Sequence, residues 1–337
     1  MGIDKKEIGS VLVRAPGWIG DSVISMPVVR AIRDNFPEAF LRISVKDRVR
    51  DLWDGFRFAD EIVSDSELKN KVKMQFDLGI IFPHSFSSAY KMLRSGVKYR
   101  AGYSTELRGL LLTHRVPKPG KFRSKHLLEE YLDILRHLGL KIRSKELFFE
   151  VPSKAQRKIE RLIKKRDKGG SRPIIGLCPG ASFGKAKAWP PERFAQVAEY
   201  LVRKYSANVA VFSGKGETEN AKKILQGLKN DVILSLGGNL SVKESAALIE
   251  KCAVFISNDT GPMHIAAALN VPLVAVFGST NPLWTGPLGS RSRVLYRKVP
   301  CSPCFKRSCP RKSGRYECLS SITADNVIRE IEKLKVL

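Results

Sequence analysis

A carboxylate stands at the beginning of a predicted helix near the start of the chain, in the run Gly17-Trp-Ile-Gly-Asp21-Ser22. The apolar run Ser10–Arg14 precedes it and predicts a buried strand, and the glycines permit a tight turn between strand and helix. The positive end of a helix dipole favours an ionised carboxylate, and an ionised carboxylate in a cleft can act as a general base. Asp21 is therefore a candidate general base, with a simple helix cap as the alternative.

A second loop, residues 179–190, combines glycines with two lysines directly before a predicted helix. Its polar candidates are Ser182, Lys185 and Lys187. Free backbone N–H groups and lysines together form a site for anions such as phosphate. The loop lacks the Gly-Lys-Ser/Thr ending of a Walker motif, which excludes that type of phosphate loop. We predict an anion site here, and a merely solvated lysine face is the alternative.

The third loop, residues 257–264, places four polar or flexible residues at a strand-to-helix junction: Asp259, Thr260, Gly261 and His264. Side-chain oxygens and free N–H groups at a helix start can bind a nucleotide diphosphate, and an imidazole can hydrogen-bond a phosphate or a ribose. A lone histidine is more often structural, but its neighbours favour a binding role for His264. The loop is therefore a candidate nucleotide site.

The elements that must position these loops alternate between strands and helices. Further strands are predicted at residues 41–45, 78–82, 209–212, 232–234, 254–257 and 273–277, besides those at 10–14 and 174–178. This alternation indicates an α/β fold with parallel sheets. Open sheets of this class bind ligands at the carboxyl ends of their strands, where all three loops lie.

The chain contains this pattern twice. A strand, a glycine loop and a helix begin at residue 10 and again at residue 174, after the glycine- and proline-containing break 168–173. A length of 337 residues suits two domains. We predict Rossmann-like domains over residues 1–165 and 172–337 that face each other across a cleft, with an acceptor site on one and a donor site on the other.

The composition is that of a folded and strongly basic protein. Hydrophobic residues make up 43% of the chain and charged residues 27%, and the formal net charge is +26. Such a surplus favours nucleic acid, an anionic membrane surface or phosphorylated substrates as partners. No apolar run is long enough to cross a bilayer, and Met1–Ser10 is charged rather than apolar as in a signal peptide. We therefore expect a cytoplasmic protein.

Two other functional classes receive less support from the sequence. The basic residues are spread along the chain and form no helix-turn-helix, RNA-binding or zinc-finger signature, which argues against a nucleic-acid-binding protein. The glycine loops lack the G-x-G-x-x-G pattern with its acidic residue about 20 positions later, which argues against a dinucleotide-dependent oxidoreductase.

Four of the six cysteines are clustered at Cys301, Cys304, Cys309 and Cys318. The first pair has the spacing of metal ligands, but the later intervals do not match a standard zinc module. We expect a structured loop of reduced thiols without a metal, and a metal site is the alternative.

The three loops resemble, in order and spacing, the motifs of the ADP-heptose:lipopolysaccharide heptosyltransferases of glycosyltransferase family nine, and among them the heptosyltransferase II group. The resemblance covers nearly the whole chain, from Trp18-Ile-Gly-Asp21 through residues 178–190 to Asn258-Asp-Thr-Gly261 and His264–Leu269. It implies the GT-B fold, in which two Rossmann-like domains carry the acceptor and the donor.

The resemblance also implies roles for individual residues. Asp21 matches the catalytic base, Lys187 matches the lysine that meets the donor phosphates, and the run from Asp259 to His264 matches the donor-binding segment. Three further donor-side candidates are Ser182, Lys185 and Glu217, the last of which resembles a glutamate that holds the donor ribose. On the acceptor side, residues 82–88 match a family loop, with candidates His84 and Ser85, although His84 stands where we would expect asparagine.

The implied reaction is an inverting transfer of heptose from ADP-L-glycero-β-D-manno-heptose to the inner-core heptose of lipopolysaccharide, with ADP as the leaving group. It needs no metal or other cofactor. A lipid A-linked acceptor and the positive charge imply peripheral association with the anionic inner face of the inner membrane, without nucleic acid as a partner. A transferase of the heptosyltransferase I type, or one with another nucleotide sugar or acceptor, is the alternative.

Overall fold

The computed structural model describes residues 3–68, 75–117, 123–167, 172–214, 218–226, 228, 232–237 and 240–337. The chain divides into two compact units, Met1–Phe148 (the first unit) and Phe149–Leu337 (the second unit). Each contains a six-stranded sheet in which every neighbouring pair of strands is parallel. This arrangement confirms the predicted α/β class with two Rossmann-like folds.

The first unit has the strands β1 (Ser10–Arg14), β2 (Phe40–Val45), β3 (Glu61–Ser64), β4 (Leu78–Ile81), β5 (Tyr99–Tyr103) and β6 (His114–Val116). Their order in the sheet is β3-β2-β1-β4-β5-β6. Both β1 and β4 are buried along their whole length, as expected for central strands of a parallel sheet covered on both faces. Because the order reverses between β1 and β4, the loops that follow these two strands flank a topological switch point.

The helices of the first unit are α1 (Ile19–Asn35), α2 (Arg50–Trp53), α3 (Asp65–Leu68), α4 (Phe86–Arg94) and α5 (Leu127–His137). Helix α1 follows β1 after only a short turn and buries an apolar face that includes Val23, Ile24, Val28 and Ile32. Helix α5 packs against α1. A short 3₁₀ helix over Arg108–Leu111 packs against α4.

The second unit has the strands β7 (Ile174–Cys178), β8 (Asn208–Ser213), β9 (Val232–Gly237), β10 (Cys252–Asn258), β11 (Leu273–Phe277) and β12 (Ser292–Tyr296). Their order in the sheet is β12-β11-β10-β7-β8-β9. The order reverses between β7 and β10, so the second switch point lies between the loops that follow these strands. These are the two loops that the sequence singled out in this half.

The helices of the second unit are α6 (Ser153–Arg166), α7 (Pro191–Tyr205), α8 (Thr218–Leu225), α9 (Val242–Glu250), α10 (Gly261–Ala268), α11 (Pro282–Thr285), α12 (Glu317–Ser320) and α13 (Ala324–Leu334). Helix α7 begins at Pro191, a residue type suited to a first helical turn because it lacks an N–H. Helix α13 packs against α7 and β11, which covers the sheet of this unit.

The division of the chain lies after Phe148, whereas we predicted it between residues 165 and 172. The reason is helix α6, which packs against α9 of the second unit. Lys158 Nζ lies 2.6 Å from Glu244 Oε1, and Lys251 Nζ lies 2.9 Å from Glu160 Oε1. Helix α6 therefore belongs to the second unit.

None of the helices in the described ranges combines the length and the apolar character that a membrane crossing requires.

Candidate active site

The loops after β7 and β10 are held together by the side chain of Asn258, the last residue of β10. Its Nδ2 donates to the carbonyl of Pro179 at 2.8 Å, and its Oδ1 accepts from the backbone N–H of Trp189 at 3.1 Å. The indole of Trp189 is fully buried and donates from Nε1 to the carbonyl of Ile322 at 2.9 Å. One buried amide thus fixes both ends of the 179–190 loop against the third loop.

Lys187 and Asp259, both predicted donor-side residues, form an ion pair at this switch point. Lys187 Nζ lies 2.5 Å from Asp259 Oδ2, and only 13% and 4% of the two side chains are exposed. The same carboxylate oxygen accepts from the Thr280 hydroxyl at 2.6 Å. The sequence prediction did not include Thr280, although it follows β11, the strand next to β10, at the same edge of the sheet.

Lys185 and Lys187 are in different surroundings, although only one residue separates them. Lys187 Nζ lies 5.0 Å from the centroid of the Phe183 ring, in addition to its contact with Asp259. Lys185 is exposed and lines an open pocket together with Phe183, Arg307, Arg315 and Tyr316. Ser182 is also exposed. The structure therefore brings Lys187 to the switch point and leaves Lys185 at a basic rim.

The loop adopts this shape because its backbone passes very close to another segment. Gly184 has a φ of +149°, and a Cβ atom at this position would lie 2.4 Å from the Arg307 carbonyl oxygen. That carbonyl accepts from the Ala186 N–H at 3.0 Å. Only glycine fits this approach, so Arg307 is held beside the loop, where its guanidinium carbon lies 5.7 Å from the Phe183 ring centroid.

Helix α10 begins immediately after the ion pair. Thr260 occupies the N-cap position and Gly261 the first helical position, followed by Pro262. The Thr260 hydroxyl lies 3.4 Å from the Ser257 hydroxyl, and His264 is buried in the second turn. A helix start with free N–H groups beside a lysine is suited to an anionic group. Glu217, the remaining donor-side candidate, lies outside the described residues.

In the first unit, Asp21 lies half-buried in the first turn of α1. The turn before it is fixed by the Ser22 hydroxyl, which donates to the Pro16 carbonyl at 3.0 Å. Burial, together with the negative charges of Asp21 and Glu130, raises the pKa of the Tyr131 phenol well above its usual value. Burial lowers the pKa of Arg123, and the charges of Glu130 and Asp21 oppose that shift. Asp21 thus lies among Arg123, Glu130 and Tyr131.

The acceptor-side candidates His84 and Ser85 follow β4, the strand beside β1, and lie in the loop that leads into α4. The His84 ring stacks on Tyr103 with centroids 5.1 Å apart, and Ser85 occupies the N-cap position of α4. Burial and the nearby positive charge of Arg108 lower the pKa of His84 to about 4, so the imidazole is neutral at neutral pH.

The sequence prediction missed Arg108, which holds this loop in place. Its buried guanidinium donates to the carbonyls of Tyr103 (2.6 Å) and Pro83 and to the Ser88 hydroxyl (3.1 Å). Arg108 thus joins residues 83–88 to the end of β5, although its Nη2 is buried without a hydrogen-bond partner among the described residues. The sequence contained one signal for this residue: Arg108 stands in the mostly apolar segment Leu107–Leu112. An arginine in such a segment is a candidate for burial, and a buried arginine needs specific hydrogen-bond partners.

The clustered cysteines line one small cavity together with Arg311 and Tyr316. None of the four forms a disulfide bond. Burial and the three neighbouring cysteines raise the pKa of the Cys318 thiol. In the part of the chain that the structure describes, no group of three or more His, Cys, Asp or Glu side chains has the arrangement of a metal site. The segment is also a neighbour of the 179–190 loop, because Arg307 belongs to it.

Comparison with known families settles the class of protein. The model of glycosyltransferase family 9 (heptosyltransferase) matches residues 66–314, which include both loops at the switch point of the second unit. The chain belongs to glycosyltransferase family 9. A lipooligosaccharide heptosyltransferase 2 of Haemophilus ducreyi is 30% identical over 350 aligned positions, which cover 96% of this chain and 99% of that protein.

Solved structures of similar proteins agree with this membership. The E. coli ADP-heptose LPS heptosyltransferase II superposes with a TM-score of 0.78 at 25% identity, covering 96% of this chain and 98% of that one. A family 9 glycosyltransferase from Veillonella parvula has the same fold, with a TM-score of 0.82 at 23% identity and 97% of each chain covered. This family 9 glycosyltransferase is therefore similar to heptosyltransferases over both units, including the part before residue 66 that contains Asp21.

Proposed function

We propose that this glycosyltransferase transfers heptose from an ADP-activated donor to the inner core of lipopolysaccharide, as a transferase of the heptosyltransferase II type. The observation that carries the proposal is the similarity to proteins named heptosyltransferase 2 along nearly the entire length of both chains. The Lys187–Asp259 pair at the start of α10 supports it from the chemistry, since a diphosphate needs a cation and free N–H groups.

In this proposal the donor diphosphate binds at the start of α10, with the Lys187 ammonium as its counter-ion. Asp21 removes the proton from the attacking hydroxyl of the acceptor, a bond forms between that oxygen and the anomeric carbon, and the bond to the diphosphate breaks with inversion. Negative charge then grows on the departing ADP, where one well-aimed donor contributes about 3–4 kcal/mol to the transition state. The side chains present supply both the base and the cation, so we propose that no metal or other cofactor is required.

The acceptor is proposed to be lipid A-linked and to lie at the cytoplasmic face of the inner membrane. The charge of +26 supports peripheral binding to that anionic surface, because each basic residue near it adds about 1 kcal/mol. His84 and Ser85 are placed after β4, beside the strand that leads to Asp21, which supports their role on the acceptor side.

An acceptor pair tests the type of transferase. The enzyme is supplied with ADP-heptose and with a lipid acceptor that either carries or lacks the first inner-core heptose, and the product mass is measured. We expect the mass to increase by one heptose with the heptose-bearing acceptor alone. An increase with the acceptor that lacks heptose would instead indicate the heptosyltransferase I type.

A further inference from the structure

Five large apolar side chains are exposed together on the first unit. Helix α4 contributes Phe86, Tyr90 and Leu93, with exposed fractions of 46%, 45% and 39%, and the loop between β5 and β6 contributes Leu107 and Leu110, with 90% and 85%. A single exposed leucine needs no explanation, but a cluster of large apolar groups marks an interaction surface. We call these five residues the apolar patch.

The patch is one continuous feature because its two elements adjoin. Residues 86, 90 and 93 have the spacing of one helix face, and the Phe86 and Tyr90 rings are stacked with centroids 6.4 Å apart. The 3₁₀ helix Arg108–Leu111 packs against α4, and the Phe86 N–H donates to Glu106 Oε2 at 3.2 Å. The exposed leucines therefore extend the apolar face of α4.

The loop holds its leucines outward at a cost in backbone conformation. Glu106 and Leu107 have φ angles of +49° and +59°, a region that residues other than glycine seldom adopt. Such conformations persist when neighbouring contacts impose them, and here Arg108 provides those contacts through its buried hydrogen bonds. The turn therefore places the Leu107 side chain almost completely in solvent, although the backbone conformation is unfavourable and the exposed leucine buries little surface within the fold.

Basic side chains border the patch. Arg94 is exposed beside Leu93 at the end of α4. Lys91 is exposed one position before the buried Met92, and its ammonium lies 3.3 Å from Asp65 Oδ2. Arg115 lies beside the loop, since its Cδ would be 4.0 Å from a Cβ atom at position 109. The acidic residue of the loop itself is Glu106, whose carboxylate accepts a hydrogen bond from the Phe86 N–H. Apolar side chains with a basic border match the boundary between acyl chains and anionic headgroups.

We infer that the apolar patch is the surface by which this protein docks on an anionic lipid bilayer, with Leu107 and Leu110 inserted below the headgroups. A second copy of the chain fits less well, because a two-fold contact through the same patch would place the two basic borders against each other. The inference rests on the proposed function, since a lipid-linked acceptor is what gives a reason for docking.

The test is a vesicle-binding assay without donor or acceptor. The full chain and the Leu107→Ser/Leu110→Ser double variant are floated with vesicles of phosphatidylcholine alone or with added phosphatidylglycerol, at low and high salt. We expect binding to the anionic vesicles only and a loss of about 100-fold or more in the double variant, because two buried leucines leave the bilayer. High salt should weaken the binding of the unaltered chain as well.

A matched control is Leu283→Ser, because Leu283 is 72% exposed but lies on α11 of the second unit. This variant should bind vesicles like the unaltered protein. Equal binding by the double variant, or an equal loss with Leu283→Ser, would overturn the inference. A patch that instead joins two copies would show as a change from dimer to monomer in the double variant, with vesicle binding unchanged.

Turnover on a detergent-dispersed acceptor separates this inference from the proposed function. The double variant should keep that turnover, because neither leucine belongs to the proposed catalytic groups. If the unaltered protein transfers no heptose but still binds vesicles through the patch, the proposed function is refuted and the docking surface is still supported. If the double variant loses turnover on the detergent-dispersed acceptor, the patch serves catalysis rather than docking.

Discussion

Replacing Lys187 by alanine removes one half of a buried ion pair, and the structure allows the cost to be worked out. Asp259 is 4% exposed and would keep only the Thr280 hydroxyl as its partner among these contacts. Removal of one partner of a buried pair costs about 3–5 kcal/mol. Because Lys187 is itself 13% exposed and water can enter the vacated space, we expect the lower end, about 3 kcal/mol.

For a unit of this size, each kcal/mol lowers Tm by about 2–4 °C, so Lys187→Ala should melt roughly 6–12 °C lower. Lys185→Ala is the matched control, since Lys185 is exposed and most exposed substitutions change stability by no more than about 0.5 kcal/mol. The double variant Lys187→Met/Asp259→Asn removes both charges and should regain more than half of the lost stability. Calorimetry of the three variants measures these values.

The same series separates catalysis from folding. If Lys187 stabilises the departing diphosphate, Lys187→Ala should lose about 100-fold in kcat as well as donor affinity, and the Lys187→Met/Asp259→Asn variant should stay inactive although it folds. Steady-state kinetics with varied donor test this. An equal or larger loss of turnover in Lys185→Ala, or activity restored along with stability in the double variant, would refute the assignment.

Three further predictions follow from the described contacts. Asp21→Asn should abolish transfer and leave affinity for the ADP-sugar largely intact in calorimetric titration, and turnover near the native rate would make Asp21 a helix cap only. Folding lowers the pKa of His84 from 6.5 to about 4, so the unfolded chain takes up the proton first as the pH falls between these values. Stability should therefore fall over this range by about 1 kcal/mol, a small value because 37% of the side chain is exposed. His84→Gln should remove that loss in urea unfolding. Hydrogen bonding from the Tyr316 N–H lowers the pKa of the Cys309 thiol, whereas burial raises the pKa of the Cys252 thiol. Iodoacetamide should therefore label Cys309 first and Cys252 only after unfolding, and mass mapping of the labelled peptides measures the order.

The central strands and their loops were accessible from the sequence because burial on both faces leaves uninterrupted apolar runs. The predicted strands at 10–14, 174–178 and 273–277 match β1, β7 and β11 residue for residue. Strands β3, β5, β6 and β12 were not predicted. Strand β12, for example, is only partly buried and lies at the edge of its sheet, so its composition does not set it apart from a loop.

The contacts that hold the site together could not be predicted in the same way. Arg108 meets the loop at residues 83–88, and Asn258 meets Pro179, across long sequence separations that no local spacing records. Helix α6 was assigned to the wrong unit for a related reason. It buries only Ala155 and Ile159, and its ion-pair partners are Glu244 of α9 and Lys251 directly after α9, which pattern analysis treats as ordinary surface.

A donor panel tests the central claim most directly. The purified protein is given the heptose-bearing lipid acceptor with ADP-heptose or with UDP-, GDP- and CDP-sugars, and both the released nucleotide and the acceptor mass are measured. We predict that ADP is released only with ADP-heptose and in equal amount to an acceptor that has gained one heptose. Preferential use of another nucleotide sugar, or release of ADP without a gain in acceptor mass, would contradict the proposed function.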